Sequence, residues 1–176
     1  YSQSFLPTSN TFSSPVAVTD SLGDKVRYAD LTIDRKRNRL LVVREDHRFI
    51  RASADEAKNS LITVTLNTAE FPTGIEAQTT LFEDSDFLSS PNISEDGKNL
   101  AFITWQHPNM PWDKTELIVA KMADEGHLYN VQRVDGNSDS SKTQPFFIAS
   151  KKLFFLSDES GYWNLRSYDL SPKQND

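Results

Sequence analysis

Few side chains in this sequence could do bond chemistry. There are three histidines (His47, His107 and His127) and no cysteine. A serine nucleophile would need the Gly-x-Ser-x-Gly elbow, whose small residues permit a strained strand-to-helix turn. The nearest approach is Gly136-Asn137-Ser138-Asp139-Ser140, which lacks the second glycine. No catalytic residue is therefore expected within the chain. Asp135, Asn137, Asp139 and Ser141 alternate as the ligands of a calcium loop do. Ser140, however, stands where that loop requires glycine, and Phe146 where it requires a bidentate glutamate. A polar connecting loop is the better reading. Thiolate metal sites and disulfides are excluded outright, and no metal or cofactor is expected.

The segment Trp105-Gln106-His107-Pro108-Asn109-Met110-Pro111-Trp112-Asp113 is of another kind. Large apolar rings are costly to leave in water, and the prolines fix its path. In the structural reading, Trp105 and Trp112 pack under a neighbouring sheet and Asp113 caps a turn. In the functional reading, Trp105, His107, Asn109, Met110, Trp112 and Asp113 line a cavity for an apolar or peptide ligand. Ser157 to Leu165 reads as a hairpin in which Asp158 and Asn164 bond the backbone and Trp163 fills a gap between sheets. Val43 to His47 reads as a salt-bridged strand end. The basic run Asp34 to Arg39 sits at a hairpin tip and reads as a solvated turn. Asn92-Ile93-Ser94 fits a glycosylation pattern but falls inside an expected strand.

These residues are held by a repeated unit. It comprises an apolar strand, a tight polar turn and a second apolar strand. The clearest copy turns at Asp96-Gly97, a pair suited to the positive dihedrals of a short hairpin, and continues through Leu100 to Thr104. Weaker copies are Leu31 to Val43 and Phe146 to Leu156. The second-strand leucines Leu40, Leu100 and Leu153 lie 60 and 53 residues apart. A period near 50 made of short strands is the signature of propeller blades. Strands are expected at Tyr28–Ile33, Arg39–Glu45, Leu61–Leu66, Gln78–Phe82, Leu88–Ile93, Leu100–Thr104, Glu116–Lys121, His127–Val134, Gln144–Ile148, Leu153–Ser157 and Asn164–Leu170, with an outer strand at Pro15–Thr19. Runs such as Leu40 to Val43 are apolar on consecutive positions, which implies burial on both faces. The fold class is thus all-β, a partial propeller of about three four-stranded blades. The chain forms one domain over 1–176, with blades near 15–83, 84–135 and 136–176, and 1–14 a loop or remnant of a preceding blade. Ala54 to Lys58 is helix-friendly but too short to matter.

The bulk numbers agree. The 176 residues hold about three units of roughly 40–50 residues. The net charge of −6 argues against nucleic acid, which needs a basic footprint, and against an anionic membrane surface. No apolar run approaches the roughly 20 residues of a membrane span. The chain starts at Tyr1 without a basic and apolar leader, so a segment cut from something longer is expected. Absence of cysteine fits a reducing compartment.

Four motifs carry a resemblance. Val43-Arg44-Glu45-Asp46-His47, Ser90-Pro91-x-x-Ser94-x-Asp96-Gly97-Lys98, Trp105-x-His107-Pro108-Asn109-Met110-Pro111-Trp112-Asp113 and Ser157-Asp158-x-x-Gly161-x-Trp163-Asn164-Leu165 resemble, in order and over residues 27–170, the β-propeller of the prolyl oligopeptidase family. The acylaminoacyl-peptidase and dipeptidyl-aminopeptidase-like branch is the most similar. The resemblance implies a seven-bladed ring and a C-terminal α/β-hydrolase domain carrying a Ser-Asp-His triad, none of which falls in this sequence. It implies a cytoplasmic, non-catalytic segment that caps that domain and gates peptide substrates. Its partners would be the hydrolase domain and the remaining blades. Asp139, where relatives carry Glu, is implied as a residue that holds a peptide's amino terminus. The third unit departs from the pattern, with Ala149-Ser150-Lys151 in place of the Asp-Gly turn. A stand-alone TolB-like propeller acting as a binding or scaffold module is the alternative. Three blades leave open faces, so the isolated segment is expected to self-associate or to be only marginally stable.

Overall fold

The computed structural model describes residues 3, 5–48, 50, 56–66, 78–134 and 139–171. Every regular element among them is a strand. β1 (Phe5–Leu6) and β2 (Thr11–Phe12) form a small hairpin. A first sheet follows: β3 (Val26–Asp34), β4 (Arg39–Asp46), β5 (Lys58–Thr65) and β6 (Gln78–Phe82). The second comprises β7 (Phe87–Ile93), β8 (Asn99–Trp105), β9 (Glu116–Met122) and β10 (Leu128–Val134). The third comprises β11 (Lys142–Ile148), β12 (Lys152–Ser157) and β13 (Asn164–Asp169). Each sheet is an antiparallel meander in chain order. β3 packs beside β7, and β7 beside β11. The first strands therefore gather on one side, as the inner strands of propeller blades do around their axis.

The consecutive apolar runs are explained by this stacking. In a strand, alternate side chains point to opposite faces. Leu100 and Phe102 of β8 join Leu41, Val43 and Leu61 of the first sheet in one core. Ala101 and Ile103, between and after them, join Leu153 and Phe155 of the third sheet in another. β9 divides likewise, with Ile118 and Met122 in the first core and Leu117 and Val119 in the second. The second sheet is the filling of a sandwich, so it cannot alternate apolar with polar.

Each inner strand is interrupted at one place. Pairing with the next strand slips between Ala29 and Thr32, Ser89 and Asn92, and Thr143 and Phe146. At these bulges Asp30, Ser90 and Gln144 take φ of 49°, 54° and 51°. Left-handed backbone is uncommon for residues with a side chain, and an inserted residue bends and re-aims a strand. The bulges also tie sheets together: Ser90 N donates to Asp30 Oδ2 at 2.9 Å. Phe147 N donates to Asn92 Oδ1 at 3.0 Å, which commits the Asn92 amide to an inter-sheet bond.

Three expectations need correction. No strand forms over Pro15–Thr19. Only an isolated bridge occurs at Val16, and Pro15 has no N–H to extend a ladder. The turn at Asp96-Gly97 is a four-residue loop closed by Ser94 N on Asn99 O at 2.8 Å, with Gly97 alone left-handed (φ 67°). The basic run is solvated only in part: Arg35, Lys36 and Asn38 are exposed, and the rest is not. Asp34 is fully buried, and Arg39 is 8% exposed. Asp34 Oδ2 accepts from Arg37 Nη1 at 3.0 Å and Arg39 Nε at 2.9 Å. Arg37 then reaches the second sheet, donating to Gly97 O at 3.0 Å and Ala123 O at 2.7 Å. Arg39 donates to Gly126 O at 2.9 Å, and Lys36 pairs with Asp124 at 2.7 Å. A buried carboxylate needs such partners, and the turns of the neighbouring sheet accept the remaining protons. The segments 51–55, 135–138 and 172–176, and with them part of the helix-friendly stretch and the Asp135 and Asn137 positions of the calcium-like loop, lie outside the described residues.

Candidate functional site

Antiparallel order assigns the described connections to one of two ends. The hairpins at 35–38, 94–98, 123–127 and 149–151 lie at one. The loops 106–115 and 158–163, the linkers 83–86 and 139–141, and the strand end at 46–48 lie at the other. All seven candidate residues (Trp105, His107, Asn109, Met110, Trp112, Asp113 and Asp139) fall at this second end.

The base of the long loop is anchored. Trp105 is half-buried, packs against the second core and stacks on Phe87 with centroids 5.3 Å apart. His107 meets Phe87 edge-on at 4.9 Å. Its amide donates to Asp86 Oδ2 at 2.9 Å, and its ring Nε2 lies 2.5 Å from Glu56 Oε2. The Glu56 carboxylate favours the imidazolium and raises the His107 pKa. Gln106 clamps the linker, accepting from Asp86 N at 3.1 Å. Asn109 folds back, its amide on Gln106 O at 3.0 Å. Asp113 caps the turn as expected, Oδ2 accepting from Met110 N at 3.0 Å.

The tip of the loop is not anchored in the same way. Trp112 is 66% exposed and Met110 49%. Trp112 therefore does not pack under a neighbouring sheet, and that part of the structural reading fails. Trp163, expected to fill a gap between sheets, is 49% exposed, and Tyr162 beside it is 82% exposed. Asp158 and Asn164 do bond the backbone as expected: Asp158 Oδ1 accepts from Ser141 N at 2.7 Å, and Asn164 Nδ2 donates to Tyr162 O at 3.0 Å.

One short linker ties both exposed tips together. Ser141 Oγ donates to Pro111 O, and Ser141 O accepts from Asp158 N at 3.2 Å. Thr115 Oγ1 accepts from Lys142 N at 2.6 Å and donates to Lys142 O at 2.8 Å. Lys114 Nζ lies 2.7 Å from Asp139 Oδ1 and holds that carboxyl below its ordinary range. The result is a rim of Met110, Trp112, Tyr162 and Trp163 on hydrogen-bonded loops, with the Asp139 charge beside it. At the same end, between the first and second sheets, lies a polar cavity of about 340 Å³ lined by Asn59, Glu83, Asp84, Asp86 and Gln106 among others.

Tyr162 was not singled out from the sequence. Counting strands would have placed its turn at the same end as the Trp112 loop. Its exposure has no sequence signal. The arrangement suits contact with a ligand or partner. Among the described residues no histidine ring bonds a serine or threonine hydroxyl; His47 and His107 each face a glutamate.

Fold and rim together define a propeller segment with one aromatic loop end. No family model and no curated protein matches the chain. Solved structures do match. A puromycin-hydrolysing peptidase from Mycobacterium tuberculosis is similar at 27% identity and a TM-score of 0.76, covering 89% of this chain and 24% of that one. A puromycin hydrolase is similar at 24% identity and a TM-score of 0.75, over 89% and 23%. Prolyl oligopeptidase B from Galerina marginata, bound to a 25-residue macrocyclisation substrate, is similar at 13% identity and a TM-score of 0.62, over 85% and 20%. The chain spans about a quarter of the length of the first two and a fifth of the third. The similarity is to part of each of these peptidases, and the fold is that of a propeller segment.

Proposed function

We propose that the chain is the non-catalytic propeller part of a serine peptidase. In this reading it caps an α/β-hydrolase domain, and its loop end gates and positions peptide substrates. The observation that carries this is the common placement of the exposed rings of Trp112, Tyr162 and Trp163 at one end. Large exposed apolar side chains gathered at one end are a feature of interaction sites, and the neighbours are peptidases by name. Rings on anchored loops lose little entropy when they meet a ligand. They contribute by orientation, not by bond making. We assign the acylaminoacyl-peptidase-like branch and a cytoplasmic location on the motif resemblance alone. Asp139 is given the substrate amino terminus as its partner, in competition with Lys114.

The test is steady-state kinetics on the full-length protein with peptides of graded length. Trp112→Ala combined with Trp163→Ala is expected to change KM for long peptides by about tenfold. The rate on a minimal aminoacyl ester should be little altered. Equal effects on both substrates, or none on either, would remove the gating role.

A further inference from the structure

The hairpin end, opposite the rim, closes its two inter-sheet seams differently. Between the first and second sheets Arg39 fills the space. It bonds Asp34 and Gly126 O, with Nη2 3.1 Å from Met122 Sδ. Asp34 pairs with Arg39 across the first hairpin, and Ser94 meets Asn99 across the second. Asn99 therefore occupies in the second sheet the position that Arg39 holds in the first. It is the shorter side chain. It reaches Ser150 O of the next hairpin at 2.7 Å, while its Oδ1 accepts from Lys121 Nζ at 2.6 Å. Beside it, where no arginine among the described residues crosses, lies a cavity of about 380 Å³ lined by Lys98, Lys121, Lys151 and Tyr129 and also by Asp96 and Asp124.

The two carboxylates that line it are already engaged. Asp96 Oδ1 accepts from Ser94 Oγ at 2.7 Å and Lys98 N at 3.1 Å. Asp124 is paired with Lys36. Asp169 lies near enough to Lys151 for their charges to interact. Neither Lys98 nor Lys151 has an ion pair among the described residues. Three lysines thus line one concavity against two carboxylates that are already engaged, in a chain of net charge −6, and one of the lysines is fixed by buried Asn99. Ammonium groups around a concavity attract anions more strongly than the same charges spread on a convex surface.

We propose that this cavity binds a small anion carrying two or more negative charges, a phosphate ester or a polycarboxylate. The lysines act as point-charge donors, and the Tyr129 ring flanks the ligand. The site is independent of the rim and of the peptidase reading.

Isothermal titration of the full chain at constant ionic strength, with pyrophosphate in one arm and citrate in the other, tests it. Saturable 1:1 binding is expected in at least one arm, weakened about tenfold in a Lys98→Ala, Lys151→Ala double variant. These lysines are exposed, so the variant should keep its circular dichroism and melting temperature. Binding of pyrophosphate alone assigns a phosphate ester, and binding of citrate alone a polycarboxylate. No saturable heat in either arm up to about 10 mM, or unchanged binding by the folded double variant, would overturn the assignment.

Discussion

Arg39 and Gly126 show how much one contact can decide. A Cβ built on Gly126 would lie 2.6 Å from Arg39 Nη1, at a backbone φ of 94°. Gly126→Ala must therefore both strain the turn and displace a buried guanidinium. A loss of about 1–3 kcal/mol is expected in chemical denaturation. Arg39→Ala leaves buried Asp34 with Arg37 alone and opens the seam. A loss near 3 kcal/mol is expected, and one under 0.5 kcal/mol would show that the clasp contributes nothing. None of this was legible in Asp34 to Arg39. A basic hairpin reads as solvated because the turns that receive it lie some 60 and 90 residues away. His107 carries a titration prediction. Glu56 raises its pKa, so the pairing contributes fully below the ordinary histidine value of 6.5. The contribution is lost as pH rises through the raised value. An NMR titration of His107 should give a midpoint above 6.5, moving down in Glu56→Gln. A midpoint that ignores the substitution would contradict the pairing.

At the scale of elements, the strands were the most legible part. The runs Leu40 to Val43 and Leu100 to Thr104 are consecutive in apolarity because both faces meet another sheet, and that is readable without coordinates. Phe102 joins the first inter-sheet core and makes an edge contact with Phe82 at 4.9 Å. Phe102→Ala is expected to cost about 3–5 kcal/mol, with a lower thermal midpoint as the readout. The bulges at Asp30, Ser90 and Gln144 were not legible. Nothing in Ala29-Asp30-Leu31 or Ser89-Ser90-Pro91 marks a left-handed residue by type. The loop 106–115 was legible as unusual, and its Asp113 cap as chemistry. Which of its two tryptophans would be buried was not, because Trp105 ends a strand and Trp112 does not. That distinction is one of register.

The whole molecule has an inner sheet covered on both sides and a third sheet covered on one. On the uncovered side of the third sheet, Phe146 stacks on Phe154 at 5.7 Å, while Leu165 and Ile148 stay 59% and 54% exposed. Such a face attracts apolar surface. Self-association of the isolated chain is expected, read by sedimentation as a mass that rises with concentration. A concentration-independent monomer would contradict it. The stacking of sheets was legible from the repeat. The grouping of loops at two ends was implied by strand order but emerges only when the strands are counted. The central claim is that the Trp112, Tyr162 and Trp163 end is the one that meets peptide. A structure of the full-length protein with a bound peptide measures this directly. The expected result is peptide density within contact distance of loops 106–115 and 158–163. Peptide bound at the Asp96 and Asp124 hairpin end, with those rings facing only solvent, would contradict it.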